Sequence, residues 1–186
     1  MLNAYLNEFV TPDIQYFSLL RPWYELTIAK EFSNYHQYYS VFSSCNRNFS
    51  TADPNIDNHW CGVCPKCVSV FLLFSPFIPK DQLIQIFGKN LFTDQKLTDI
   101  YRGLLGLTKI KPFECVGTVA ETRLALYLTW QKKDYQDSLV MKMFEKEILP
   151  KLTNPENLKT DIFKINNLDN IPDQFKLIFQ NETITT

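Results

Sequence analysis

Glycine is scarce in this chain, with five among 186 residues, and histidine is scarcer still, with two. Two histidines cannot supply a three-histidine catalytic zinc site. No G-x-S-x-G elbow, Walker loop, dinucleotide-binding glycine pattern or H-E-x-x-H helix occurs, so the common sequence signs of hydrolase, P-loop, Rossmann and metalloprotease chemistry are missing. Excess charge is lacking too: the formal net charge is -1, which gives no electrostatic footprint for nucleic acid or an anionic membrane. The longest apolar run, residues 68–78, is too short to cross a bilayer and is broken by Pro76. The opening MLNAYLNEFV has no basic start and is interrupted by Asn and Glu, so no secretory leader is read there. A cytoplasmic protein without membrane insertion is the expectation. In that compartment clustered thiols act as metal ligands or redox groups more often than as disulfides.

What the chain does have is aromatic bulk, 15% of its residues with 15 Phe and 9 Tyr, in a length that suits one sizeable core. Residues 13–20 and 38–42 are rich in β-formers and read as short extended strands, the first ending at Pro22. Residues 24–32 carry Leu26, Ile28, Ala29 and Phe32 on a helical stripe. Residues 46–58 are polar and aperiodic, a loop. A buried helix follows the cysteines. Pro79 and Gly88 bracket another, residues 80–87, and residues 93–105 read as a third with Thr93 placed to cap it. Residues 109–117 are a non-helical connector, and residues 118–130 and 136–149 are two further helices. Short helical pieces close the chain around residues 158–163 and 172–179. The predicted class is mainly α (α+β), a helical domain with two or three short N-terminal strands. A boundary near residue 110 separates a cysteine-bearing part, 1–110, from a helical part, 111–186.

Four of the five cysteines, Cys45, Cys61, Cys64 and Cys67, follow the pattern C-x15-C-x2-C-x2-C. Two-residue gaps let successive thiolates converge on one ion, and the long gap brings the fourth from a distant loop. Gly62 suits the sharp path between ligands. Four thiolates favour closed tetrahedral zinc, a structural site with no open position for substrate. An iron–sulfur cluster is the competing ligand set. His59, two residues before Cys61, is an alternative ligand or a neighbour of the site. His36 reads as structural. The fifth cysteine, Cys115, sits beside Glu114 in the connector. A carboxylate neighbour raises a thiol pKa unless a cation such as Lys111 offsets it, and a packed small side chain is the plainer reading.

SVFSSCNRNF, WCGVCPKCVSVFLLFSPFIP, LFTDQKL, LLGL and KPFECVG, with RPWYELTIAK ahead of Cys45, resemble the C-terminal half of the ATP-dependent epimerase family acting on UDP-N-acetylmuramoyl-L-alanyl-L-glutamate. The likeness runs in order from Leu19 to Glu121. More distantly, S-C followed by C-G-x-C-x-x-C is similar to the zinc clamp of PP-loop ATP pyrophosphatases. The resemblance implies structural zinc on the four cysteines. It implies ATP and magnesium for a reaction that inverts the terminal glutamate in peptidoglycan precursor synthesis. Adenylating the carboxylate removes its charge, so the α-carbon loses a proton more readily and regains it on the other face. Cys115 and Glu114 are the candidate proton-transfer pair, and Arg47, Lys66 and Lys111 the candidate substrate contacts. The strands would be the stump of a parallel α/β sheet. No glycine- and serine-rich phosphate loop occurs here. The expectation is therefore a chain inactive on its own, with the loop supplied by a missing half or a second polypeptide. A zinc-stabilised helical binding module, or another PP-loop-related enzyme fragment, is the alternative. KPFECVG favours the epimerase.

Overall fold

The computed structural model describes residues 2–49, 59–112 and 115–180. Among them the regular elements are nine α-helices and five 3-10 turns, with no strand. The expected α+β class, with its N-terminal strands and sheet stump, is therefore replaced by an all-helical one. Residues 13–20 are turns and irregular chain, and residues 38–42 continue the 3-10 turn His36–Tyr38 into further turns. Of the β-forming residues there, Phe17, Tyr39 and Phe42 use their rings in packing rather than in a ladder, while Ile14, Tyr16, Tyr38 and Val41 are exposed. Phe17 meets Phe175 at 5.0 Å, while Phe42 meets Phe32, Phe74 and Trp60 at 4.8, 5.6 and 5.2 Å. Burial of aromatic area drives such clusters whatever the backbone conformation.

The chain divides into two compact units, residues 1–23 with 163–186, and residues 24–162. The smaller holds helices α1 (Leu2–Phe9) and α9 (Asp173–Gln180). Trp23 packs edge-on against Phe179, and Asn166 donates from Nδ2 to Pro22 O at 2.9 Å. α1 was not foreseen in the sequence; it buries no residue of its own.

The larger unit runs through residue 110 without a break. It contains α2 (Glu25–Phe32), α3 (Pro65–Phe74), α4 (Lys80–Phe87), α5 (Thr98–Leu104), α6 (Val119–Lys132), α7 (Leu139–Glu147) and nearly all of α8 (Pro155–Phe163). α3 is its centre, buried on nearly every side through Val68, Phe71, Leu72 and Phe74, and it packs against α2, α4, α5 and α6. A helix apolar all round belongs inside a core. One polar pair lies within this packing: Ser75 and Thr129 join hydroxyls at 2.6 Å across α3 and α6.

Helix ends follow local chemistry. Gly88 takes the left-handed conformation at the end of α4, φ +75°. Thr118 and Glu121 form a reciprocal capping box on α6. The expected helix from Thr93 is corrected. Leu91–Thr93 and Gln95–Leu97 are 3-10 turns and α5 starts only at Thr98. Asn90 and Asp94, not Thr93, accept the free backbone N–H groups of those turns, at 3.0 Å each.

Candidate metal centre

α3 begins where the cysteine block ends. Cys64 is its N-cap and Pro65 its first residue, so the chain enters the helix at a fixed angle. Two residues earlier Gly62 bends back at φ +64°, a conformation costly for any residue with a Cβ. These two features carry Cys61 and Cys67 to the same point. Cys45 arrives from the other side, where Ser43 receives the Cys45 N–H on its hydroxyl at 3.2 Å and donates to His59 O at 2.6 Å.

The four sulfurs lie within 4.8 Å of one another. Cys64 and Cys67 are 3.5 Å apart, Cys61 and Cys67 3.7 Å, and Cys45 and Cys64 4.0 Å. A tetrahedron with metal–sulfur bonds near 2.3 Å has edges of about 3.8 Å. Backbone N–H groups point at two of the sulfurs: Cys61 N at Cys45 Sγ, 3.4 Å, and Cys67 N at Cys64 Sγ, 3.5 Å. Such donors stabilise thiolate charge.

Without a cation the set is electrostatically frustrated. The Cys67 thiol beside it lowers Cys64 to about 5. Cys67 is pushed well up by Cys64 and by burial, and Cys61 is raised by burial. Four thiols this close cannot all be thiolates unless a metal ion shares the space. Cys45 and Cys67 are fully buried and Cys61 and Cys64 half-buried.

A second group of charges gathers where α2, α3 and α6 begin. Glu121, nearly fully buried, accepts Leu26 N–H on Oε1 at 3.1 Å and Thr118 N–H on Oε2 at 2.7 Å. Glu25 lies close enough to Glu121, Lys66 and Lys111 for each to act on its carboxyl. Burial raises the Glu25 carboxyl, Lys66 and Lys111 pull it back, and Glu121 raises it again, the net being upward. Glu25 and Lys66 stand on a groove of about 260 Å3 whose walls include Ile28, Phe32, Phe42 and Leu73. Lys111 turns back through its own loop to Val116 O at 3.1 Å. The loop is held down at α5, where a Cβ on Gly103 would come within 3.1 Å of Ile110 O and 3.0 Å of Pro112 Cδ.

Of the residues singled out in the sequence, the four cysteines converge, and Lys66 and Lys111 join the second group. Arg47 is exposed on the 3-10 turn Asn46–Phe49, beside Cys45 in sequence. Cys115 is exposed, and Glu114 lies outside the described residues. Glu25 and Glu121 were missed. The T-x-x-E capping-box pattern at Thr118 was the available signal for Glu121; nothing local marked Glu25.

Helices alone among the described residues, with a central helix that begins at a cluster of four convergent thiols, define the class, a helical fold with a four-cysteine cluster able to hold a metal ion. The chain belongs to the family described as the MurL C-terminal domain, which it matches over residues 41–159. It is 41% identical, over 84% of its length, to a UDP-N-acetyl-alpha-D-muramoyl-L-alanyl-L-glutamate epimerase of Xanthomonas oryzae pv. oryzae, covering 35% of that protein. An epimerase of the same name from Micromonospora sp. is 41% identical over 76% of the chain and is covered over 31% of its length. The equivalent from Salinispora tropica is 39% identical over 76% of the chain and 30% of its own length. The chain thus spans about a third of the curated relatives it matches. No solved structure matches it.

Proposed function

We propose that this chain is the C-terminal portion of an ATP-dependent epimerase, an isomerase that converts the terminal L-glutamate of UDP-N-acetylmuramoyl-L-alanyl-L-glutamate to the D-form during cytoplasmic peptidoglycan precursor synthesis. The observation that carries this reading is the 41% identity over 84% of the chain to a protein of that name.

The site residues suit the chemistry. A glutamyl substrate brings carboxylates, and Lys66 and Lys111 are cations gathered where helices present their positively polarised starts. Arg47 is a further cation beside the cysteine block. Glu25 is an exposed carboxylate on the wall of the groove, held upward in pKa by desolvation, a property useful in a group that exchanges protons. Cys115, exposed in the same loop as Lys111, is the thiol available for proton transfer, with Glu114 next to it in sequence.

ATP and Mg2+ activate the glutamyl carboxylate in this scheme. The phosphate-holding loop comes from polypeptide outside these 186 residues, so the chain by itself releases no AMP from ATP. The four-cysteine centre holds one Zn2+ in a structural role. Four sulfurs all within 4.8 Å of one another suit one ion, whereas a [4Fe–4S] cluster spreads its thiolates over four iron atoms.

The test is incorporation of solvent deuterium at the glutamate α-carbon by an intact enzyme carrying this domain, with the muramoyl dipeptide, ATP and Mg2+. Cys115→Ala or Lys111→Ala is expected to lower exchange by about 10²-fold or more. Full exchange in both variants sinks the residue assignment, and absence of exchange in the unsubstituted enzyme sinks the reaction.

A further inference from the structure

A cavity in the larger unit, distinct from the groove at Glu25, measures about 450 Å3. It brings together both of the chain's histidines, His36 and His59, with Trp60, Gln82 and Gln85. Its volume is that of a small-ligand pocket. We propose that it binds the uracil ring of a uridine nucleotide, the carrier end of the proposed substrate. The inference rests on the epimerase reading and adds where the carrier is held.

Three observations support it. First, among the described residues the lining holds no carboxylate, ammonium or guanidinium group, so it suits an uncharged moiety better than a diphosphate. Second, its polar side chains are uncommitted. Gln82, Gln85, His36 and His59 make no side-chain hydrogen bond among the described residues, although Gln82 and Gln85 share one face of α4. An amide side chain offers a donor and an acceptor together. Uracil presents the complement, an N–H flanked by two carbonyls. Third, the walls are flat rings. Trp60, nearly fully buried, is braced against Phe87 at 4.6 Å and Phe42 at 5.2 Å, and the His36 ring lies 5.3 Å from that of Tyr39. Rigid aromatic walls favour a planar ligand.

The cavity is tied to both features already described. His59 and Trp60 lead directly into Cys61, and His59 O is held by Ser43, so the metal centre sets one wall. Phe42 lines this cavity and also the groove carrying Glu25 and Lys66. A ligand with its base here therefore has a shared wall leading toward the charged cluster.

Trp60 supplies the readout, since the chain has only three tryptophans and hence three indole N–H resonances. The metal-loaded chain, labelled with 15N, is titrated with uridine, with UDP and with the complete UDP-muramoyl dipeptide. The proposal expects the Trp60 resonance to move saturably with all three, while cytidine moves it much less. Gln82→Ala together with Gln85→Ala should weaken uridine binding by about tenfold or more, with metal content and the Trp23 and Trp130 resonances unchanged. If the dipeptide conjugate shifts amides near Lys66 and Lys111 but leaves Trp60 still, the uracil site is refuted and the epimerase reading stands. If no ligand shifts any resonance, the uracil site is refuted, and the deuterium exchange of the intact enzyme decides the epimerase reading separately.

Discussion

Glu121 on α6 and Leu26 on α2, 95 positions apart in the chain, are joined by a carboxylate oxygen accepting a backbone N–H at 3.1 Å. The other oxygen of Glu121 closes the capping box on Thr118 at 2.7 Å, so one buried side chain serves the first turns of two helices. Both bonds are to free N–H groups that the helices themselves cannot satisfy.

Glu121→Gln is accordingly expected to destabilise the chain by about 2–3 kcal/mol, because an amide replaces one of two acceptors with a donor facing a donor. Glu121→Ala should cost more, leaving both N–H groups buried without partners. Urea unfolding followed by circular dichroism measures this. A change below the scatter of surface substitutions would show that the two helix starts do not depend on the carboxylate.

Removing one ligand should disable the whole metal centre. Cys67→Ser and Cys45→Ser are each expected to lose bound zinc and to lower the melting temperature strongly, since structural zinc binding is folding energy. Elemental analysis gives the first reading, one Zn2+ per unsubstituted chain and little in either variant. A chain that holds its full zinc without Cys45 would leave the long-range ligand unproven.

Thiol counting separates the fifth cysteine from the rest. Of the five cysteines Cys115 alone is exposed, so in the native, metal-loaded chain one thiol should react quickly with a disulfide reagent, rising to five after unfolding with chelator. Two or more fast thiols in the native chain would mean that the centre is open.

The acid limb of stability should depend on the pair joining α5 and α7. Arg102 donates to both oxygens of Glu147, at 2.7 and 3.0 Å, and holds that carboxyl below its ordinary value of 4.5. A carboxyl lowered in the folded state binds protons more readily when unfolded. Its contribution is thus complete above the unfolded value and disappears as pH falls through the folded one. Glu147→Gln should be less stable near neutrality and nearly equal to the parent at low pH. The difference should shrink in high salt because both side chains are one-third exposed. Melting temperatures across that pH range test it, and a constant difference would refute it.

Some of this molecule was legible locally. The spacing of Cys61, Cys64 and Cys67 announced a tight metal-binding turn, and Pro79 and Gly88 bracketed α4, because caps and short ligand gaps act over a few residues. Residues 13–20 and 38–42 misled for a definable reason. A row of β-forming aromatics satisfies a sheet, but it equally satisfies ring packing such as Phe17 on Phe175 or Phe42 on Trp60.

The sequence by itself determined which thiols could share an ion, where most helices lie, and the family to which they belong. Tertiary structure alone decided that Cys45 reaches its partners, that Glu121 serves Leu26, and that His36 and His59 face one cavity. Each of those depends on residues far apart in the chain meeting through the packing around α3, and side-chain burial, not local periodicity, selects such meetings.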